Sequence, residues 1–203
     1  MELIFDIVQN ATFPDREIPK EKEVILDEID SYRDSPSELI FDEFDSLLYP
    51  DHPLGRNILG SEKSVKSFSK EQVINFVKRN YTPERAVLSS VGGINHSEFE
   101  RLADRHASNW KGKMDIHSRT TPFVSKSEIK HVKKEIHQSH IIIGGEGISI
   151  HDKDYTAIVL LNNLLGGPSM NSRLNLNIRE RHGIAYQIES FINSYNDSGI
   201  WGI

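Results

Sequence analysis

Glu21 and Glu28 are the residues in this chain whose type and spacing most directly invite chemistry. They bracket the run Glu21-Lys-Glu-Val-Ile-Leu-Asp-Glu28. On a helix, that spacing at about 100° per residue returns to within about 20° of the starting direction. Ile18, Val24, Ile25, Ile29 and Tyr32 share the stripe, so both carboxylates are expected to be buried. An unpartnered buried carboxylate is costly; it takes up a proton or finds a cation, and a metal ion is one such cation. The plainer alternative is a solvated helix face, because Lys22, Glu23, Asp27 and Asp30 make this helix charged throughout.

The other candidate ligands are weaker. His137 and His140 stand on a predicted strand, where a three-residue spacing puts side chains on opposite faces. His52, in Asp51-His-Pro-Leu-Gly-Arg56, is expected to fix a turn by hydrogen bonding. His182, beside Gly183, reads as an exposed turn residue. Gly144-Gly145-Glu146-Gly147 lacks the Lys-Ser/Thr that a phosphate loop needs and reads as a strand-end bulge. There are no cysteines, which excludes disulfides and thiolate metal sites.

These residues need a folded frame, and composition supplies one. The chain has 203 residues, 37% hydrophobic and 27% charged, a balance that supports a core. A net charge of −6 argues against nucleic acid and acidic membrane surfaces as partners. No apolar run approaches the roughly 20 residues of a membrane span. No leader is visible at Met1, and the expected compartment is the cytoplasm, with the periplasm as the alternative.

The first half reads as helices. Residues 2–10 are a short apolar stretch, and Pro19 opens the Glu21–Glu28 helix. Asp34-Ser35-Pro36 stops it. A second helix points Leu39, Ile40, Phe41, Phe44, Leu47 and Leu48 inward. Ser69-Lys-Glu-Gln72 is a capping box opening a third. Residues 85–91 read as a strand ended by Gly92-Gly93, and 96–109 as a helix with Phe99 and Leu102 inward. Residues 111–125 form the expected linker. Beyond it, 129–136 alternate, 139–144 form an apolar strand, and 154–165 form an apolar helix closed by Gly166-Gly167. Residues 169–179 look helical, and 184–194 with 199–203 look like paired strands. The predicted class is α+β, with helices packed on mostly antiparallel sheets. Both ends read as boundaries of a longer chain.

Two blocks carry a family likeness. Glu21-Lys-Glu-Val-Ile-Leu-Asp-Glu-Ile29 followed by Asp51-His-Pro-Leu-Gly-Arg-Asn-Ile-Leu-Gly60 resembles the pitrilysin/insulinase family of zinc metallopeptidases, the inverzincins, which include mitochondrial processing peptidase. Leu165-Gly-Gly-Pro-Ser-Met-Asn-Ser-Arg-Leu174 and Asn177-Ile-Arg-Glu-Arg-His-Gly-Ile-Ala-Tyr186 resemble the family's second block. The likeness implies parts of two related half-domains: 1–110 as the later part of the first, 126–203 as the first part of the second. It implies Glu28 as a zinc ligand and Glu21 as a supporting carboxylate beside it. It implies Arg179 and Tyr186 as substrate contacts able to donate to a developing oxyanion. It also makes 139–144 similar to an edge strand that in the family's first half-domain pairs with substrate.

The chain departs from the family pattern in one respect. It contains no H-x-x-E-H, so two zinc histidines and the catalytic glutamate would fall upstream of Met1. The implied function is therefore that of a piece of a zinc metalloendopeptidase that cuts extended peptides in a closed chamber. Zn2+ belongs to the intact protein and is not expected in this piece, which alone is expected to be inactive. The implied partners are a peptide substrate and a related subunit in a homo- or heterodimer. A non-catalytic partner subunit of the same family is the alternative, and an unrelated helical adaptor with a small sheet is a third reading.

Overall fold

A computed structural model describes residues 1–114, 120–123 and 127–203. The expected linker at 111–125 lies partly outside the described residues, at 115–119 and 124–125. Two compact units form. One comprises Met1–Ile29 with Leu59–Arg119, the other Asp30–Ile58 with Thr120–Ile203. Residues 30–58 thus pack with the C-terminal stretch.

The first unit is helical. It holds α1 (Glu2–Gln9), the larger part of α2 (Ile18–Arg33), α4 (Glu62–Ser67), α5 (Lys70–Asn80) and α6 (His96–Ala107). Local chemistry sets the starts. Ser61 and Ser64 close one capping box, and Ser69 and Gln72 another, each satisfying N–H groups that a first helical turn leaves unpaired. Asn95 accepts from the Glu98 N–H at 2.8 Å to start α6. Phe5 of α1 stacks on His106 with centroids 5.8 Å apart and meets Trp110 edge-on at 6.1 Å. Gln9 donates from Nε2 to the His106 carbonyl at 3.1 Å.

The second unit joins α3 (Pro36–Leu48) to a three-stranded antiparallel sheet. Its strands are β1 (Gly144–Glu146), β2 (Phe191–Ser194) and β3 (Gly199–Gly202), in the order β1-β3-β2. The register pairs Gly144 with Gly202 and Phe191 with the same Gly202. The two glycines of this row let the Phe44 and Phe191 rings lie close to the backbone. A Cβ on Gly144 would come within 2.9 Å of both Gly202 Cα and Phe44 Cζ. Leu48, Tyr49 and Ile200 form the buried centre, with Phe44, Leu54, Phe191 and Tyr195 packed around them. Helix α7 (Tyr155–Gly166) ends at Gly167, and Gly166 receives the Ser190 N–H just before β2.

Several expectations are corrected here. Residues 85–91 form no strand: among the described residues no strand faces them, and Val87 and Val91 lie 95% and 102% exposed. A strand needs a ladder partner, and an apolar pattern alone does not provide one. Residues 129–136 likewise enter no sheet. The apolar strand expected at 139–144 is displaced to 144–146, and its ladder reaches back only to the Ile143–Ile203 pair. Gly144 and Gly145 are accordingly strand residues rather than a bulge. Helix α4 was not legible, being a single six-residue helix without a repeat long enough to show periodicity. The helix expected at 169–179 is observed as a π-helix over Asn175–Arg181.

Candidate functional site

Glu21 and Glu28 sit on α2 as the spacing requires, but both are exposed. The stripe that packs is turned away from them. Lys22, Ile25 and Leu26 are half-buried and Ile29 is buried at 5% exposure, a set at i, i+3, i+4 and i+7. Lys22 reaches the Lys66 carbonyl at 2.9 Å, on α4. Glu21 and Glu28 lie about 80° and 100° from Ile29 around the axis, at the border of the packed stripe, and Val24 beyond them is 52% exposed. The expectation of burial is thus corrected. One residue of register separates the apolar pattern from the carboxylates, and α2 docks through the former.

Among the described residues, no group of three His, Asp or Glu side chains converges on a cation position. A catalytic zinc takes three protein ligands and a water. Two exposed carboxylates on one helix face do not make that set. The residues present therefore do not fit a complete zinc site, and no reaction step is derived through zinc.

Arg179 and Tyr186, by contrast, are brought together. The Arg179 Cζ lies 5.9 Å from the centre of the Tyr186 ring, within the range of a cation–π contact. Backbone chemistry produces the approach. Arg179 lies in the π-helix, and the chain leaves that helix at Gly183, whose φ is +60°. The Gly183 N–H donates to the Arg179 carbonyl at 3.0 Å, and the Ile184 N–H donates to the Ile178 carbonyl at 3.0 Å. This widened form of the glycine helix stop folds Tyr186 back over the guanidinium. Tyr186 is 90% exposed, so its ring is no part of a sheet core and its hydroxyl faces solvent. Glu180 Oε1 lies 3.8 Å from Arg179 Nε, a loose and exposed ion pair. Arg179 and Tyr186 belong to the second unit, Glu21 and Glu28 to the first.

His52 behaves as its turn role predicts. Its Nδ1 accepts the Leu54 N–H at 3.2 Å and caps the 3-10 turn Pro53–Gly55. That assignment leaves Nε2 to carry the proton, and it donates to the Thr120 carbonyl at 3.1 Å. His182 lies exposed beside Gly183.

Sequence reasoning missed an acidic and phenolic cluster in the second unit. Burial, then the neighbouring Asp42 charge, pushes the Asp45 carboxyl up to about 6. Asp42 is raised by burial and by Glu43, while a hydrogen bond from Tyr32 opposes the shift. Burial also raises Tyr49, Tyr195 and Tyr32. The signal was present in the sequence: Asp42 and Asp45 are one turn apart on the helix that carries Phe41, Phe44 and Leu48.

The family model of the Peptidase M16 inactive domain matches residues 67–203. A Bacillus subtilis protein described as an uncharacterized zinc protease is 34% identical over 98% of this chain and 48% of its own length. The beta subunit of the mitochondrial-processing peptidase of Neurospora crassa is 30% identical over 100% of this chain and 45% of its own. The crystal structure of a peptidase M16 inactive domain from Pseudomonas fluorescens superposes with a TM-score of 0.91 at 25% identity, covering 98% of this chain and 48% of that one. The chain spans about half the length of the curated relatives it matches. The family match reaches across the second block and most of the chain, and the chain belongs to the M16 peptidase family, the pitrilysin/insulinase family that its two blocks resemble.

Proposed function

We propose that this chain is a stretch of a longer zinc metalloendopeptidase, in which it supplies substrate contacts and one zinc ligand. The observation that carries the reading is the Arg179–Tyr186 pair, within cation–π distance, solvent-facing and set within the stretch that the family model matches. A guanidinium and a phenol side by side present donors to a peptide carbonyl and to the oxyanion that forms as that carbonyl is attacked. Glu28 is assigned as the ligand and Glu21 as the carboxylate supporting it, with the remaining ligands outside this chain. Residues 1–110 and 126–203 are assigned to two successive half-domains that close around an extended peptide. The relatives described as a zinc protease and a processing peptidase support the class.

The test has two arms. Glu28→Gln in the longer protein lowers zinc content measured by ICP-MS and abolishes peptide cleavage; unchanged zinc occupancy removes Glu28 from the ligand set. The 203-residue chain alone shows no zinc-dependent cleavage, and cleavage by it overturns the assignment.

A second reading is a non-catalytic subunit that associates with a related peptidase chain. It is favoured by the match to a domain described as inactive and by a relative that is itself one subunit of a processing peptidase. Under that reading the longer protein lacks H-x-x-E-H and cleaves peptide only when mixed with a related subunit.

A further inference from the structure

We infer that Gly183 is a positioning residue, whose left-handed backbone holds Tyr186 over the Arg179 guanidinium. The inference rests on the reading of Arg179 and Tyr186 as substrate contacts and adds the element that sets their geometry. Three observations converge on it. Gly183 has φ of +60°, in the left-handed region that β-branched residues avoid. Two of the hydrogen bonds that end the π-helix pass through this turn, from Gly183 to Arg179 and from Ile184 to Ile178. The pair it joins lies 5.9 Å apart although Tyr186 is 90% exposed, so no surrounding core presses the ring onto the guanidinium. The turn is the constraint that remains.

The position separates backbone conformation from packing. A Cβ on Gly183 meets nothing within 4 Å. A substitution there creates no clash, and its effect reports the backbone alone. Asn tolerates the left-handed region, because its short polar side chain bonds locally; Val does not. A right-handed residue at 183 redirects the chain before Ile184, breaks the bond to Ile178 and swings Tyr186 away. The helix end adds to the dependence. The Arg179 carbonyl accepts both the His182 N–H and the Gly183 N–H, so the residue that carries the guanidinium is itself tied to the turn.

The test reads the stack directly by NMR on the 203-residue chain. The Tyr186 ring shifts the Arg179 δ protons upfield. Tyr186→Leu abolishes that shift and so assigns it. Gly183→Val loses the upfield shift while β2 and β3 resonances keep their positions, and Gly183→Asn retains it. Gly183→Ala shows a reduced shift and decides the question if the Val variant fails to fold. Retention of the full shift in the Val variant, or in the Ala variant where Val does not fold, overturns the inference; so does its loss in the Asn variant. In the longer peptidase, Gly183→Val lowers kcat with KM little changed and Gly183→Asn restores it. If the NMR shifts follow this pattern and kcat does not, the positioning role stands and the substrate-contact reading fails.

Discussion

The Tyr49 hydroxyl lies 2.8 Å from Ser198 Oγ and 2.8 Å from the Gly199 carbonyl, joining the end of α3 to the start of β3. Each hydroxyl donates once. Tyr49 gives its proton to the carbonyl, so Ser198 gives its own to Tyr49. Tyr49 is 1% exposed and Ser198 5%. The Gly199 carbonyl keeps a second donor, the Gly147 N–H at 2.7 Å, but nothing replaces the acceptor that Ser198 loses. Tyr49→Phe is therefore expected to destabilise the chain by about 1–2 kcal/mol in urea unfolding, the cost of one buried hydroxyl left unpaired. Adding Ser198→Ala removes that orphan, and the double variant is expected to lose less than the sum of the singles. Additive losses would show that the pair is not coupled.

Asp45 gives the chain a pH dependence of definite sign. Its carboxyl is raised to about 6 by burial and by Asp42, and it lies in the last turn of α3, where the helix dipole also opposes a negative charge. A raised folded-state value means that the folded chain binds this proton more tightly than the unfolded chain. Stability from this group is greatest below about pH 4 and is lost as pH rises through about 6. Asp45→Asn is expected to be more stable than the parent at pH 7, by about 1 kcal/mol after allowance for its partial exposure. The advantage shrinks on acidification and vanishes near pH 4. Thermal melts across pH 4–8 measure it; a gap that widens on acidification contradicts the assignment.

Gly144 shows how tightly β1 lies against its neighbours. Its Cβ would overlap the Trp201 carbonyl and come 2.9 Å from Gly202 Cα and Phe44 Cζ. Two of these obstacles are backbone and do not rotate away. Gly144→Ala is expected to cost about 1–3 kcal/mol, as overpacking does. Gly145, whose Cβ would meet only Trp201 Nε1 at an ordinary 3.7 Å, is expected to accept alanine with a much smaller loss. Equal losses at the two positions would mean that the close approach at 144 is not what holds β1.

These particulars show what a sequence makes legible. Chemistry contained in one turn is readable: the Ser69–Gln72 capping box, the Gly166-Gly167 stop and the His52 turn all depend on neighbours a few residues away. Pairing chosen by distant residues is less so. Residues 85–91 have the composition of a strand but no strand facing them, while β1 is built on glycines that strand propensity disfavours, because Phe44 and Gly202 select them. For the site, the seven-residue spacings were readable but their surroundings were not. The spacing put Glu21 and Glu28 on one face, yet which face of α2 packs depends on partners such as Lys66 on α4. Arg179 and Tyr186 lie equally far apart in sequence, and only the glycine turn at 183 makes that distance a contact.

Tyr186 offers a clean separation of stability from chemistry. Its ring is 90% exposed and its hydroxyl supports no element of the fold, so Tyr186→Phe is expected to leave unfolding unchanged within about 0.5 kcal/mol. The ring stays over Arg179, because the phenyl face still attracts the cation. Only the O–H donor disappears. If that donor meets the oxyanion, its loss acts on the transition state and not on the bound substrate. Cleavage of an extended peptide by the longer protein is then expected to fall by about 10²-fold in kcat with KM little changed. A change confined to KM marks Tyr186 as a ground-state contact, and no change in either constant removes it from the site. Arg179→Lys completes the argument: it keeps the charge but loses the planar fork and its stacking, and is expected to lower kcat where a mere positive charge at this position would suffice to keep it.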